Sequence, residues 1–174
     1  LGIVGMGRIG QAVARRARGF DMPVLYYNRT RLSPELEREC NASFAGLDDL
    51  LARADIVTLH TPYSPATHHL IGAAQLARMR PQAILIHAAR GGVVDDAALI
   101  QALKTGKLAA AGLDVYEDEP RLDPAFLTLK NVVLAPHIAS ATTSTRRNMA
   151  MLAARNLIAA LTTGNPPNLL NPRP

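Results

Sequence analysis

Cysteine is almost missing from this chain: Cys40 is the single one in 174 residues. An internal disulfide is thereby excluded, and the composition suits a reducing compartment, so a cytoplasmic location is expected. Tryptophan is absent and aromatics make up 4 % of the residues, so the core must be built from Ala, Leu, Ile and Val. Nothing here has the length of a membrane-spanning apolar run or the layout of a signal peptide, and no membrane partner is expected. Basic residues are not interleaved with aromatics, which argues against nucleic acid. The net charge of +5 instead suits small molecules bearing phosphate or carboxylate. The chain also opens at Leu1, without an initiator Met and already inside an apolar run, and reads as part of something longer.

What is present begins with that run. Leu1 to Gly10, LGIVGMGRIG, is a short strand that breaks into three spaced glycines. Gly5 serves a tight turn, Gly7 leaves room for a pyrophosphate, and Gly10 lets the next helix lie close to the strand. The phosphates would face the free N–H groups at that helix start.

Beyond it, helices are expected over Gln11–Gly19, from Pro34 (capped by Ser33) to about Cys40, over Leu47–Arg53 and Gly72–Met79, from the Asp95 cap to about Lys104, and over Thr142–Thr163. Strands are expected at Pro23–Tyr27, Ala42–Ala45, Ile56–His60, Ala83–His87, Ala109–Asp114 and Val132–Ala135, with loops at Thr61–Thr67 and Glu117–Pro124. Strands alternating with helices imply an α/β fold, a doubly wound parallel sheet of the Rossmann dinucleotide-binding type. Its ligands should sit outside the carboxyl ends of the strands. Residues 1–164 form this domain, and the tail 165–174 is expected to leave it for another part of the parent protein.

At the end of the second strand, where a carboxylate usually takes the ribose hydroxyls, the chain has Asn28-Arg29-Thr30-Arg31. With no acid to repel a 2′-phosphate and guanidinium groups to clamp it, the expectation is NADP, with NAD as the alternative. A solvated arginine in a surface turn is the competing reading. Three further ionisable residues follow successive strands: Arg90, Glu119 and His137. Each alone is more often structural, but a parallel sheet delivers all three to the cofactor edge. His60, His68 and His69 show no metal-ligand grouping with Cys40 or a carboxylate cluster, and no metal is expected.

GMGRIG, NRTR, HAARGGVVDDAAL, AAAGLDVYEDEP and NVVLAPHIASAT occur in this order. Together they resemble the nucleotide-binding domain of the D-isomer-specific 2-hydroxyacid dehydrogenases, with a particular likeness to the glyoxylate/hydroxypyruvate reductases. The resemblance implies hydride transfer from NADPH to a small 2-oxo acid, with an NAD-linked dehydrogenase of 3-phosphoglycerate, lactate or another 2-hydroxy acid as the alternative, and a homodimer in the intact protein. Arg90 would bind the substrate carboxylate, His137 would protonate the carbonyl oxygen, and Glu119 would hold the imidazole and favour its protonated form. Arg8 and Ile9 would join Gly7 along the pyrophosphate. Thr61, Pro62, Ala88, Ala89 and Ser140 would approach the nucleotide and nicotinamide, and Asp114 would meet the carboxamide. Family members commonly carry Asn at His87 and often Gly at Ala139, so His87 is expected to support the site from behind. The family's substrate-binding domain is split around this one, and its N-terminal part is missing here, so these residues alone should bind cofactor but turn over poorly. The same fold also serves nucleotide sensors, such as co-repressors and channel-gating domains, and that reading competes with the enzyme.

Overall fold

Apolar runs closed by glycine, proline or a capping side chain become the elements of a computed structural model that describes residues 1–171. In chain order these are β1 (Gly2–Val4), α1 (Arg8–Ala17), β2 (Val24–Tyr27), α2 (Pro34–Cys40), β3 (Ala42–Phe44), α3 (Leu47–Arg53), β4 (Ile56–Leu59), α4 (Ala73–Arg78), β5 (Ile84–His87), α5 (Asp96–Lys104), β6 (Ala110–Leu113), β7 (Val132–Leu134) and α6 (Thr143–Thr162). The seven strands make one sheet in the order β3-β2-β1-β4-β5-β6-β7, and every pair is parallel. The expected doubly wound sheet is therefore present. Its order reverses between β1 and β4, and that reversal opens a crevice at the strand ends.

Two clusters fill the two faces. Val4, Leu50, Val57, Leu59, Leu85, Leu99 and Leu113 belong to one, and Ile3, Met6, Ala14, Val24 and Tyr26 to the other. Ile3 and Val4 go to opposite clusters because successive strand side chains alternate. Two helix starts match their sequence signals: the Ser33 hydroxyl accepts from the Leu36 N–H at 3.4 Å, and the Asp95 carboxylate accepts from the Ala98 N–H at 2.9 Å.

Three local expectations need correction. Helix α1 starts at Arg8, not Gln11, with Gly7 as its N-cap, so Gly10 is helical despite its poor propensity. The helix does not stop at Gly19 either. A 3-10 turn carries Arg18–Phe20 onward, and Asp21, at φ 53°, takes the left-handed terminating position. The supposed loops also contain order. Pro65–Thr67 is a 3-10 turn within the first, and a second, Pro124–Thr128, begins at the last residue of the other, capped by the Asp123 carboxylate accepting from the Ala125 N–H at 2.8 Å.

The residues divide into two compact units, the first spanning Leu1–His137 and the second beginning at Ile138. In the second, α6 buries none of its side chains, and Asn156 holds the chain beyond it: its Oδ1 accepts from the Asn168 N–H at 2.9 Å. Residues 172–174, the end of the expected tail, lie outside the described residues.

Candidate active site

The reversal point is built by close backbone approach. Gly5 has φ +98°, and a β-carbon there would lie 2.7 Å from the His60 carbonyl carbon and 2.8 Å from the Thr61 nitrogen. A β-carbon on Gly10 would run into the Gly5 carbonyl oxygen. Gly7 is different: nothing lies within 4 Å of the corresponding position, because it opens on a cleft. Gly7, Arg8, Ile9, Ala12, Arg16 and His60 are among the residues lining that cleft, about 770 Å³ in volume. The first-turn N–H groups of α1 begin beside it. Next to His60, the Thr61 hydroxyl is buried and has no hydrogen-bond partner among the described residues. A bare helix start, an open glycine and an orphaned hydroxyl at the reversal point together fit a bound dinucleotide.

The end of β2 is tied to this turn. Asn28 Oδ1 accepts from the Met6 N–H at 3.3 Å, and its Nδ2 donates to the Thr30 carbonyl at 2.9 Å. The two arginines then part company. Arg31 is committed to Glu37 through Nε at 2.8 Å and Nη2 at 2.9 Å, while the Tyr26 hydroxyl donates to the same carboxylate at 2.6 Å. Together they pull the Glu37 carboxyl down to about 2. Arg29 is exposed and has no ion-pair partner among the described residues.

At the other end of the crevice, His137 Nδ1 lies 2.7 Å from Glu119 Oε2. His137 sits just beyond β7 in the left-handed region, at φ 54°. Glu119 is itself fixed, since its Oε1 accepts from the Tyr116 N–H at 2.8 Å. Tyr116 in turn donates its hydroxyl to the Ala135 carbonyl at 2.8 Å, lashing the loop after β6 to the end of β7. Glu119, Pro120, Leu122, Leu127, Pro136 and His137 line part of a cleft of about 590 Å³ there. Arg90 is exposed at the end of β5, with Nη1 donating to the Ala89 carbonyl at 2.7 Å. The next residue, Gly91, presses so closely on Tyr116 that a β-carbon would run into the Tyr116 carbonyl oxygen. The Arg90 turn thus abuts the backbone that positions Glu119.

The remaining predicted residues divide by unit. Ala88, half-buried, and Ala89, buried, lead into Arg90, and Pro62 is exposed after β4. Asp114 is 7 % exposed at the end of β6, its N–H donating to the His87 carbonyl at 2.9 Å. Ser140 belongs to the second unit and is exposed.

Some features gave little sequence signal. His87 is 1 % exposed, and neither ring nitrogen has a hydrogen-bond partner among the described residues. Burial pushes its pKa down to about 4, against a weaker upward pull from the Arg90 backbone and the Glu119 charge. The Arg90 backbone is near enough to act on the ring without closing a well-formed hydrogen bond. Asp96, at the start of α5, accepts from the Glu117 N–H at 3.0 Å, and burial pushes its pKa up to about 6. His68 and His69, set apart in the sequence from any carboxylate cluster, meet one carboxylate in the fold. Glu117 Oε1 lies 2.7 Å from His69 Nε2, with His68 alongside. Their separation of 48 positions hid the contact.

A doubly wound sheet whose reversal point carries a bare glycine turn is a dinucleotide-binding domain. The model of the D-isomer specific 2-hydroxyacid dehydrogenase NAD-binding domain matches residues 1–139, and the chain belongs to that family. It is 54 % identical over 171 residues to a glyoxylate reductase of Thermococcus litoralis, covering 98 % of this chain and 51 % of that protein. Among solved structures it resembles an NADPH-dependent glyoxylate/hydroxypyruvate reductase from Sinorhizobium meliloti in complex with NADP and malonate. There the TM-score is 0.89 at 36 % identity, covering 96 % of this chain and 51 % of the other. It also resembles a D-lactate dehydrogenase with NAD+ from Lactobacillus jensenii, at TM-score 0.88 and 35 % identity over 98 % and 55 % of the two chains. The chain thus spans about half the length of these relatives.

Proposed function

We propose that this chain is the cofactor-binding part of a reductase that converts a small 2-oxo acid, glyoxylate or hydroxypyruvate, to the D-2-hydroxy acid with NADPH. The observation that carries the reading is the His137–Glu119 pair, 2.7 Å apart at the carboxyl edge of the sheet. Residues 1–164 form the domain, and the tail from 165 leads toward the substrate-binding part of the whole protein.

The nicotinamide dinucleotide, when bound, supplies the hydride. Gly5, Gly7, Arg8, Ile9 and Gly10 hold its pyrophosphate at the start of α1, with Thr61 and Pro62 across the crevice. Asn28, Arg29 and Thr30 face the adenine ribose. Arg29 clamps the 2′-phosphate, since Arg31 is already spent on Glu37. Ala88, Ala89 and Asp114 complete the nicotinamide side.

Arg90 pairs with the substrate carboxylate through the guanidinium nitrogens that Ala89 does not occupy. With Nδ1 donating its hydrogen to the Glu119 carboxylate, Nε2 of His137 is left as the atom that meets substrate. Nε2 delivers its proton to the carbonyl oxygen and ends neutral; oxidation of the hydroxy acid returns that proton to it.

In the whole protein we propose a homodimer. Its support is α6, whose Met149, Leu152, Leu157, Ile158 and Leu161 are all exposed in the chain by itself. The test of function is a panel of 2-oxo acids with NADPH and NADH on the whole protein. The expected result is turnover of glyoxylate and hydroxypyruvate, with kcat/KM at least about tenfold higher for NADPH, in line with one charge-assisted clamp. A preference for NADH overturns the cofactor assignment, and cofactor binding without turnover of any 2-oxo acid leaves a nucleotide sensor.

A further inference from the structure

His68, His69 and Glu117 form a second polar cluster, apart from the residues assigned to catalysis. Each offers one ligand atom, and the three atoms lie within 4.8 Å of one another. The two imidazoles are stacked, with centroids 3.9 Å apart and planes 22° from parallel. Neither ring is loosely held. His69 sits at φ 48°, its N–H donating to the Gly92 carbonyl at 2.8 Å. His68 Nδ1 lies 3.3 Å from the Tyr63 hydroxyl, and that ring stands edge-on to it. Glu117 is anchored by its backbone bond to Asp96.

We propose that these three side chains bind one divalent transition-metal ion of the zinc class. Two imidazoles and one carboxylate form a donor set that zinc accepts and that magnesium or calcium, which favour oxygen, does not. Three protein ligands leave a fourth position for water. Tetrahedral donors at zinc distances stand about 3.4 Å apart. The observed spread closes only when His68, the exposed ring, swings out of its stack on His69.

The proton inventory also balances. With Glu117 ionised, His69 Nε2 carries the hydrogen of their shared bond. On metal binding that hydrogen moves to Nδ1, where Asp95 Oδ2 stands 3.9 Å away. At that distance Asp95 does not hydrogen-bond the ring; it would orient a ligating His69 only after the ring turns toward it. His68 keeps its proton on Nδ1, toward Tyr63, and presents Nε2. The ion would join the segment after β4 to the loop after β6, two residues before Glu119. It would thereby stiffen the loop that holds the catalytic imidazole.

The experiment is calorimetric titration of the whole protein with zinc chloride in excess magnesium, together with the visible spectrum of the cobalt(II) form. The expected result is one zinc ion per chain and d–d absorption typical of low-coordinate cobalt. His68→Ala and Glu117→Gln should each weaken zinc affinity at least tenfold, Asp95→Asn less, and His137→Gln not at all. Absence of zinc binding, affinity unchanged in His68→Ala and Glu117→Gln, or affinity lost in His137→Gln would each overturn the proposal. The cobalt spectrum of the unaltered protein keeps the test valid if a variant fails to fold: a spectrum of octahedral cobalt counts against the site.

Discussion

His87 stands at the end of β5 with 1 % of its surface exposed and, among the described residues, nothing hydrogen-bonded to either ring nitrogen. Such a ring is tolerable only while neutral, because a buried unpaired charge is far more costly than an unpaired neutral group. Its folded pKa of about 4 lies below the ordinary histidine value. Stability from this group is therefore complete above about pH 6.5 and is lost as pH falls toward 4. Between pH 7 and pH 5 the loss amounts to about 2 kcal/mol. Replacing His87 with Asn, which cannot take up a proton there, should flatten that part of the profile. Urea unfolding of both forms at the two pH values checks it, and an equal loss in the variant contradicts the assignment. The residue type at position 87 was visible in the sequence, but its orphaned state was not, since unpaired nitrogens are a property of packing.

Among the elements, the strands were legible because each is a short apolar run with a turn residue at its end, and Ile84–His87 and Leu47–Arg53 lie where their patterns place them. The start of α1 was not. Gly7 and Gly10 argue against helix locally, and only the need to lie against Gly5 reverses that preference. Strand-end reasoning placed Glu119 and His137 on one edge, although 18 positions separate them. It could not reach Gly91, whose importance lies in contact with a backbone 25 positions ahead, at Tyr116. A Gly91→Ala variant should force the β5 and β6 loops apart. The overpacking should cost about 1–3 kcal/mol and lower kcat/KM of the whole protein more than NADPH affinity. Thermal unfolding and kinetics measure both, and unchanged values for both would contradict the close approach.

At the scale of the molecule, one sheet serves two ligand-facing regions along a single edge. Where the strand order turns back, backbone geometry and a helix start make a place for phosphate. Further along, the loops after β5, β6 and β7 bring Arg90, Glu119 and His137 to the same edge, where the proposed function places proton transfer. Among the described residues no helix is long and apolar enough to cross a membrane. The split matters for testing, because the proposed function assigns binding and chemistry to different residues. The most direct measurement is His137→Gln in the whole protein, followed by hydroxypyruvate turnover and by NADPH affinity from fluorescence titration. General acid catalysis of this kind contributes about 10²–10⁴-fold, so turnover should fall by that factor while NADPH affinity stays within about twofold. Turnover that survives the substitution would contradict the assignment of His137 as the proton donor.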